Sequence, residues 1–337
     1  MKTVLVTGAT GFLGKHLVEQ LKPESDSARL RVLCRGLAPW EHDSGVEVVH
    51  GDITNRDHVD KAVEGATEIY HLAGLVSRRP QDQELLYLTH IEGTRNVCEA
   101  ALKHGVERVL LVSSSGTVAV SNEPTVHDEK SGYKHEVVGE WPYYLSKIFA
   151  EKLALSYHAR SGLKIVIVNP SLLLGPGDER NSSTRDVALF LKGQIMVIPQ
   201  GGLNFVDVRD VASGLILAMR SGRPGERYLL GSVNWTFREL IEKVAKISGK
   251  RPPKRQIPLE VSLWGARALR RAYPVFGKSF ELDDASVKMS SCFWYCDSSK
   301  ARDELGFKTR DPEETLRATV KDLRAQLDKA GPVAPPA

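Results

Sequence analysis

TVLVTGATGFLGKHLVEQL, residues Thr3 to Leu21, holds the pattern from which the rest of the chain can be read. TVLVT is a short apolar run with the length and β-branched content of a buried strand, and FLGKHLVEQL has the spacing of an amphipathic helix. Between them stand Gly8, Gly11 and Gly14, spaced GxxGxxG. Lacking side chains, they let the backbone turn sharply and come close to a pyrophosphate. The helix that follows offers unpaired N–H groups and the positive end of its dipole. Glycines also mark tight turns for purely structural reasons. The strand before and the helix after favour a dinucleotide site, to which Thr10, Phe12 and Leu13 in the same turn would contribute.

Working outward, LRVLC, VEVVH, EIYHLA, ERVLLVSS and KIVIVNP read as further strands. ELLYLTHIEGTRNVCEAALKHG reads as one long helix stopping at Gly105, and a second helix runs from Tyr143 to about Arg160. Buried strands alternating with helices imply an α/β fold, a Rossmann-type doubly wound parallel sheet. After Pro170 the pattern loosens. LLLGPGDERNSS is loop-like, VRDVASGLILAMRSG restores a helix, RYLLG is a strand and FRELIEKVAKISG another helix. Helical stretches near 258–272 and 312–328 complete the chain. The expected division assigns 1–168 and 204–222 to the dinucleotide-binding domain. It assigns 169–203 and 223–328 to a smaller, interleaved α/β substrate lobe, and 329–337 to a disordered Pro-rich tail. No internal repeat is visible.

Composition narrows the function. The 337 residues suffice for one large domain or two smaller ones, and a net charge of +4 argues for neither nucleic acid nor an anionic membrane as partner. The four cysteines, Cys34, Cys98, Cys292 and Cys296, form no CxxC pair and read as free thiols in a reducing compartment. The start MKTVLVTGATG has no leader-like pattern, and no apolar run reaches spanning length. A cytoplasmic protein acting on a small molecule, with no metal site, is expected. One stretch, VSLWGARALRRAYPVFG, mixes apolar residues with Arg267, Arg270 and Arg271. It reads as a lobe helix with a solvated face rather than a membrane-surface helix. Its Leu263, Trp264, Tyr273 and Phe276 are alternative covers for the substrate.

Several strand ends carry residues suited to the same ligand. GDIT puts Asp52 and Ile53 after the third strand, where a carboxylate can meet an adenine amino group. HLAG puts Leu72, Ala73 and Gly74 after the fourth, where small residues permit close approach. In WPYYLSKIFAEKLA, Tyr143 precedes Lys147 by four residues, so the two share a helix face. A free phenol ionises near pH 10, and a neighbouring ammonium lowers that value. The pair is therefore a candidate for passing a proton to or from a carbonyl oxygen. Tyr144 reads as the packing tyrosine.

TGATGFLG, HLAG, the serines Ser113 to Ser115 and Tyr143-x-x-x-Lys147, in this order, make the chain resemble the extended short-chain dehydrogenase/reductases, from residue 1 to about 325. VNPSLLLGPGD and RPGERYLLGSVNWTFRELIEKVAKISG look like the dihydroflavonol-reductase-like and hopanoid-associated epimerase-like branch. The resemblance implies an NAD(P)-dependent enzyme in which Tyr143 exchanges the proton and Lys147 also reaches the nicotinamide ribose. It further implies a serine that holds the substrate oxygen, Pro170 near the cofactor, and a homodimer. Counting the strand from Arg108 and Val109 selects Ser114 as that serine, while counting back from Val118 selects Ser115. We take Ser114, with Ser115 open. The second strand ends in Cys34 and Arg35 with no acid to repel a 2′-phosphate, which favours NADP(H) over NAD(H).

Departures from the family pattern matter as well. His90 stands where many relatives carry asparagine, and reads as a hydrogen-bonded structural residue. Ser115 and Gly116 follow Ser114 where family dehydratases place an Asp-Glu pair, which argues against elimination. Leu203, two residues before the aromatic Phe205, replaces the arginine that holds the diphosphate in family sugar-nucleotide epimerases. Arg209 lies too far along to substitute, and Arg180 and Arg185 remain alternatives. The leading expectation is a reductase or alcohol dehydrogenase for a small or apolar carbonyl compound. A nucleotide-sugar epimerase and a non-catalytic dinucleotide sensor are the alternatives.

Overall fold

The computed structural model describes residues 2–22, 28–195, 197–253, 255 and 284–329. The first part of the chain runs β1 (Lys2–Thr7), α1 (Phe12–Leu21), β2 (Ala28–Cys34), β3 (Val46–His50), α2 (Arg56–Val63), β4 (Glu68–His71) and α3 (Gln83–Tyr87). A π-helical turn (Leu88–Glu92) leads into α4 (Gly93–Lys103), then β5 (Arg108–Val112), α5 (His135–Val138), α6 (Pro142–Ser161) and β6 (Ile165–Pro170). Next come β7 (Leu172–Leu174), α7 (Arg185–Leu191), β8 (Gly202–Asp207), α8 (Val208–Ser221), β9 (Arg227–Leu230), β10 (Val233–Thr236) and α9 (Phe237–Ser248). The last described elements are α10 (Asp284–Ser291), β11 (Phe293–Trp294), α11 (Ser299–Leu305) and α12 (Pro312–Lys329).

Seven strands form one parallel sheet in the order β3-β2-β1-β4-β5-β6-β9. Side chains alternate across β1, and each face meets a different core. Val4 and Val6 pack with Leu17 and Val18 of α1, Leu215 of α8 and Ala301 of α11. Leu5 packs on the other face with Val59 of α2, Val97 and Ala101 of α4, and Ala154 of α6. A sheet covered on both sides requires apolar residues at successive positions, and Thr3 to Thr7 are accordingly all buried. A second, four-stranded sheet joins β10, β8 and β11, with β7 also paired to β8. Phe205 of β8, Leu240 and Val244 of α9, and Leu316 and Val320 of α12 make its core.

Several expectations need correction. Strand β8, assigned from the sequence mostly to the dinucleotide-binding segment, pairs with β10, β7 and β11 in the small sheet. Strand β9, assigned to the lobe, closes the large sheet beside β6. Division by residue number does not separate the two sheets, because the chain crosses between them repeatedly. Leu172–Leu174, read as loop, pairs with β8. The long helix before Gly105 is broken by the π turn at Leu88–Glu92. The amphipathic stretch 258–276 and the tail from residue 330 lie outside the described residues. Among the described residues, no helix is long and apolar enough to cross a membrane.

The β1–α1 turn fits together through missing side chains. Gly8 has φ +73°, and a Cβ there would lie 2.6 Å from the Ala73 nitrogen at the β4 exit. A Cβ on Gly14 would lie 2.7 Å from the Ala9 Cα and strike the Gly8 carbonyl, all of it backbone that cannot swing aside. Gly14→Ala is therefore expected to lose about 2 kcal/mol or more of stability in urea denaturation. Gly11→Ala, whose added carbon meets only the Gly8 oxygen at 3.2 Å, should lose clearly less. Equal losses would refute this packing account.

Candidate active site

The strand order reverses direction at β1 and β4, and the carboxyl ends of the strands there open into the crevice where α/β sheets take ligands. Gly8, Thr10 and Gly11 make the turn from β1, and Phe12, Leu13 and Gly14 begin α1, with Leu13 and Gly14 buried. Gly11 caps α1 without any side-chain hydrogen bond, so no capping oxygen takes the first N–H groups of the helix. Leu72, Ala73 and Gly74 leave β4 beside this turn, and Pro170 ends β6. Arg35 follows β2 and lies 3.9 Å from Asp52, with the arginine side chain 71% exposed. Asp52 in turn accepts hydrogen bonds from the Thr54 backbone and hydroxyl. Ile53 is buried against Gly93, and its carbonyl accepts from Asn96. The tight glycine turn and the helix terminus without a side-chain cap fit the pyrophosphate of a nicotinamide dinucleotide.

Helix α6 carries the acid–base candidates across the sheet edge. Pro142 starts the helix at a position where a missing N–H costs nothing, and Gly162, with φ +74°, ends it. The Ser114 side chain faces the Tyr143 hydroxyl closely enough to favour its ionised form. Ser114 also accepts from the Gly116 N–H, and Ser115 is buried within the short turn that follows. Lys147 is buried, donates to the Val112 carbonyl at 3.1 Å, and lies 3.3 Å from where a Gly74 Cβ would be.

The electrostatics differ from the sequence expectation. Burial pushes the Tyr143 phenol above its ordinary value, Tyr144 adds to this, and the Ser114 contact opposes it. Lys147 is not among the groups that shift the phenol, and its ammonium donates to the Val112 carbonyl of β5. Lys147 is itself pushed down to about 8 by burial, with Glu151 working the other way. Glu151, one turn beyond Lys147 and on the same face, is wholly buried. It accepts from Ser113, from Thr117 at 3.0 Å and from Asn169 at 2.7 Å, and pairs with Arg227 at 3.0 Å. Arg227 also lies over the Tyr133 ring. Sequence reasoning missed this carboxylate, although a Glu four residues after Lys147 on a helix facing the sheet was a readable signal.

Aromatic rings wall the site next to Tyr143. Tyr143 meets Tyr144 edge-on with centroids 5.0 Å apart, and Tyr144 stacks on Trp294 at 4.9 Å. Trp141 lies 5.6 Å from Trp294. A Cβ on Gly116 would stand 2.7 Å from the Tyr144 ring and 2.9 Å from that of Trp294, so the stack occupies the space of any side chain at 116. Leu203 is buried in the lobe core and Arg209 grips Asp207 with two nitrogens. Arg180 is exposed on its loop.

A seven-stranded parallel sheet of this order, with a glycine turn and a Tyr-x-x-x-Lys helix at its edge, defines a Rossmann-type NAD(P)-binding enzyme. Residues 4–231 match the model of the NAD dependent epimerase/dehydratase family, and the chain belongs to that family. It is 33% identical over 323 residues to a Synechocystis sp. protein provisionally named dihydroflavonol 4-reductase, covering 94% of this chain and 92% of that one. It is 31% identical to sterol demethylase protein B of Methylococcus capsulatus, covering 98% and 99%. The dTDP-glucose 4,6-dehydratase of Streptomyces venezuelae, solved with NAD bound, shares the fold with a TM-score of 0.76 at 24% identity, over 96% of this chain and 97% of that one. The protein is thus an NAD(P)-dependent oxidoreductase of the extended short-chain dehydrogenase/reductase type.

The position of Lys147 gives a signed pH prediction. Its native value lies below its unfolded one near 10.5, so across that window the unfolded chain holds a proton that the native state has released, and stability rises with pH. Lys147→Met should therefore stabilise the protein at pH 7, and this gain should shrink by roughly 2 kcal/mol at pH 9.5. Denaturation curves at the two pH values measure it. A gain independent of pH would show that folding does not lower the lysine's pKa.

Proposed function

We propose that the enzyme reduces a ketone, or oxidises the corresponding alcohol, of an apolar ring-bearing substrate without a nucleotide. The observation that carries this reading is the Tyr143–Ser114 contact beside a wall of stacked aromatic rings. When bound, the nicotinamide cofactor supplies or accepts the hydride at the substrate carbon. Tyr143, its phenol held protonated near neutrality, donates its proton to the carbonyl oxygen, and Ser114 holds that oxygen by a hydrogen bond. Lys147 places a positive charge between the β4 and β5 exits, where it also serves the cofactor's ribose.

Gly116 separates this chemistry from elimination. The Tyr144–Trp294 stack fills the volume that the second acid of a dehydratase pair would need. Flat rings stack on such a wall, worth about 0.5–1.5 kcal/mol per well-placed pair beyond area burial. Relatives named for a flavonoid and for a sterol agree with a substrate of that kind. Leu203 in the lobe core and Arg209 tied to Asp207 leave no bidentate diphosphate grip at those positions, which disfavours a sugar-nucleotide epimerase.

Aryl and steroid ketones screened by nicotinamide absorbance, and nucleotide sugars screened by chromatography of the products because epimerisation leaves the nicotinamide unchanged, test the reading. Tyr143→Phe should lower kcat by on the order of 10²-fold or more while cofactor affinity stays within about twofold. Ser114→Ala should lose more of kcat/KM than Ser115→Ala. Near-normal turnover by Tyr143→Phe, with Tyr144→Phe as control, would sink the assignment. Turnover of a nucleotide sugar alone would promote the epimerase.

NADP(H) is the proposed cofactor. Arg35 is held only by a long, exposed contact to Asp52 and can turn to a 2′-phosphate at little cost. Arg35→Ala should raise the NADPH dissociation constant about tenfold and leave that for NADH within twofold. Equal affinities for both cofactors in both proteins would end the idea.

A further inference from the structure

The π turn at Leu88–Glu92 places the His90 ring inside the molecule, where it is 2% exposed. Such turns insert a residue into a helix and re-aim its side chains. The His90 Nε2 accepts the Leu75 N–H at 3.1 Å, so it carries a lone pair. The neutral ring must then hold its proton on Nδ1, which lies 2.8 Å from the Ser146 hydroxyl oxygen. The Ser146 hydroxyl in turn donates a hydrogen bond to the Tyr143 carbonyl at 2.8 Å. The His90 and Tyr143 rings also meet edge-on, 5.8 Å apart.

A second chain of hydrogen bonds with one direction leads into this one. The Ala73 N–H donates to the Thr7 hydroxyl, which donates to His71 Nδ1 at 2.8 Å. His71 Nε2–H faces the Thr94 hydroxyl at 3.2 Å, and Thr94 donates to the His90 carbonyl at 2.6 Å. Every donor in the two chains finds an acceptor only while both rings are neutral. Thr7, His71, Thr94, His90 and Ser146 are all buried, so a broken link has no water to replace it.

We propose that His90 is a positioning residue, tying the β4 exit at Leu75 to the helix that carries Tyr143 and Lys147 through a neutral ring protonated on Nδ1. This rests on the reading of Tyr143 as the proton donor. The groups facing the ring are His71 of β4, Lys147 and Tyr143 of α6. Burial foremost, and then the charge of Lys147, hold His90 well below its ordinary range and His71 down to about 3. The rings therefore stay neutral through the physiological range. A proton on His90 Nε2 would oppose the Leu75 N–H directly.

The test compares wild type, His90→Leu, His90→Asn, Ser146→Ala and the His90→Leu/Ser146→Ala double variant, with Tyr143→Phe alongside. Turnover is read with the best ketone of the screen, and NADPH and NADH binding by nicotinamide fluorescence. A shift of the catalytic groups by about 1 Å costs on the order of 10²-fold in rate, so His90→Leu should lose kcat on that scale with KM little changed. His90→Asn, which keeps a donor for Ser146, should recover part of it. Ser146→Ala should lose about tenfold, and the double variant should be no worse than His90→Leu, because both break one chain. His90→Leu should also raise the cofactor dissociation constant severalfold by loosening the Gly74–Leu75 backbone. Should His90→Leu fail to fold, Ser146→Ala and His90→Asn carry the test. Full turnover in Ser146→Ala, or losses that simply multiply in the double variant, would overturn the proposal. An active Tyr143→Phe would instead overturn the reading of the site, and the binding data would then decide His90 alone.

Discussion

Everything at this site depends on where helix α6 rests on the sheet, and one buried carboxylate sets that. Glu151 takes hydrogen bonds from Ser113 and Thr117 after β5 and from Asn169 on β6, and pairs with Arg227 on β9. Three successive strands are thereby keyed to a single position of the helix. Such a pair adds little net stability, because removing two charges from water costs about what their attraction returns. Its consequence is geometric. A rotation of α6 would strand an unpaired charge in the core, so Tyr143 and Lys147, two turns and one turn earlier on that face, are held in place.

The same carboxylate reaches into the chemistry. Lys147 has lost most of its hydration, and only the Val112 carbonyl and the charge of Glu151 favour its ammonium form. Tyr143 is also desolvated, and there the result is a firmly protonated phenol. Burial thus pushes the two groups toward their neutral forms from opposite directions. The phenol is a ready donor to a carbonyl oxygen, and the lysine remains charged only up to mildly alkaline pH.

The backbone of Gly8 closes against Ala73, and α1 starts without a side-chain cap. Next to Tyr143 stand Tyr144, Trp141 and Trp294, brought from two distant parts of the chain. Between them run the hydrogen-bonded histidines. A polar chain crossing an otherwise apolar interior is costly unless every member is satisfied, and here each proton has one direction in which to point.

Sequence alone determined the local parts. The alternation of buried strands and amphipathic helices, the glycine turn and the Tyr-x-x-x-Lys face depend on periods of two and 3.6 residues and on the absence of a Cβ, and these are properties of neighbouring residues. What the tertiary structure decided was every contact between distant segments. How the β5 exit turns, with Ser114 accepting from the Gly116 N–H and Ser115 buried, was not given by strand counting. The exchange of β8 and β9 between sheets lies in their pairing with β10 and β6. Tyr144 became a wall because Trp294, 150 residues away along the chain, stacks on it. The sign of the Tyr143 shift followed from burial first and from the neighbouring Tyr144. A four-residue spacing places two side chains on one face but does not set the solvent or the partners around them.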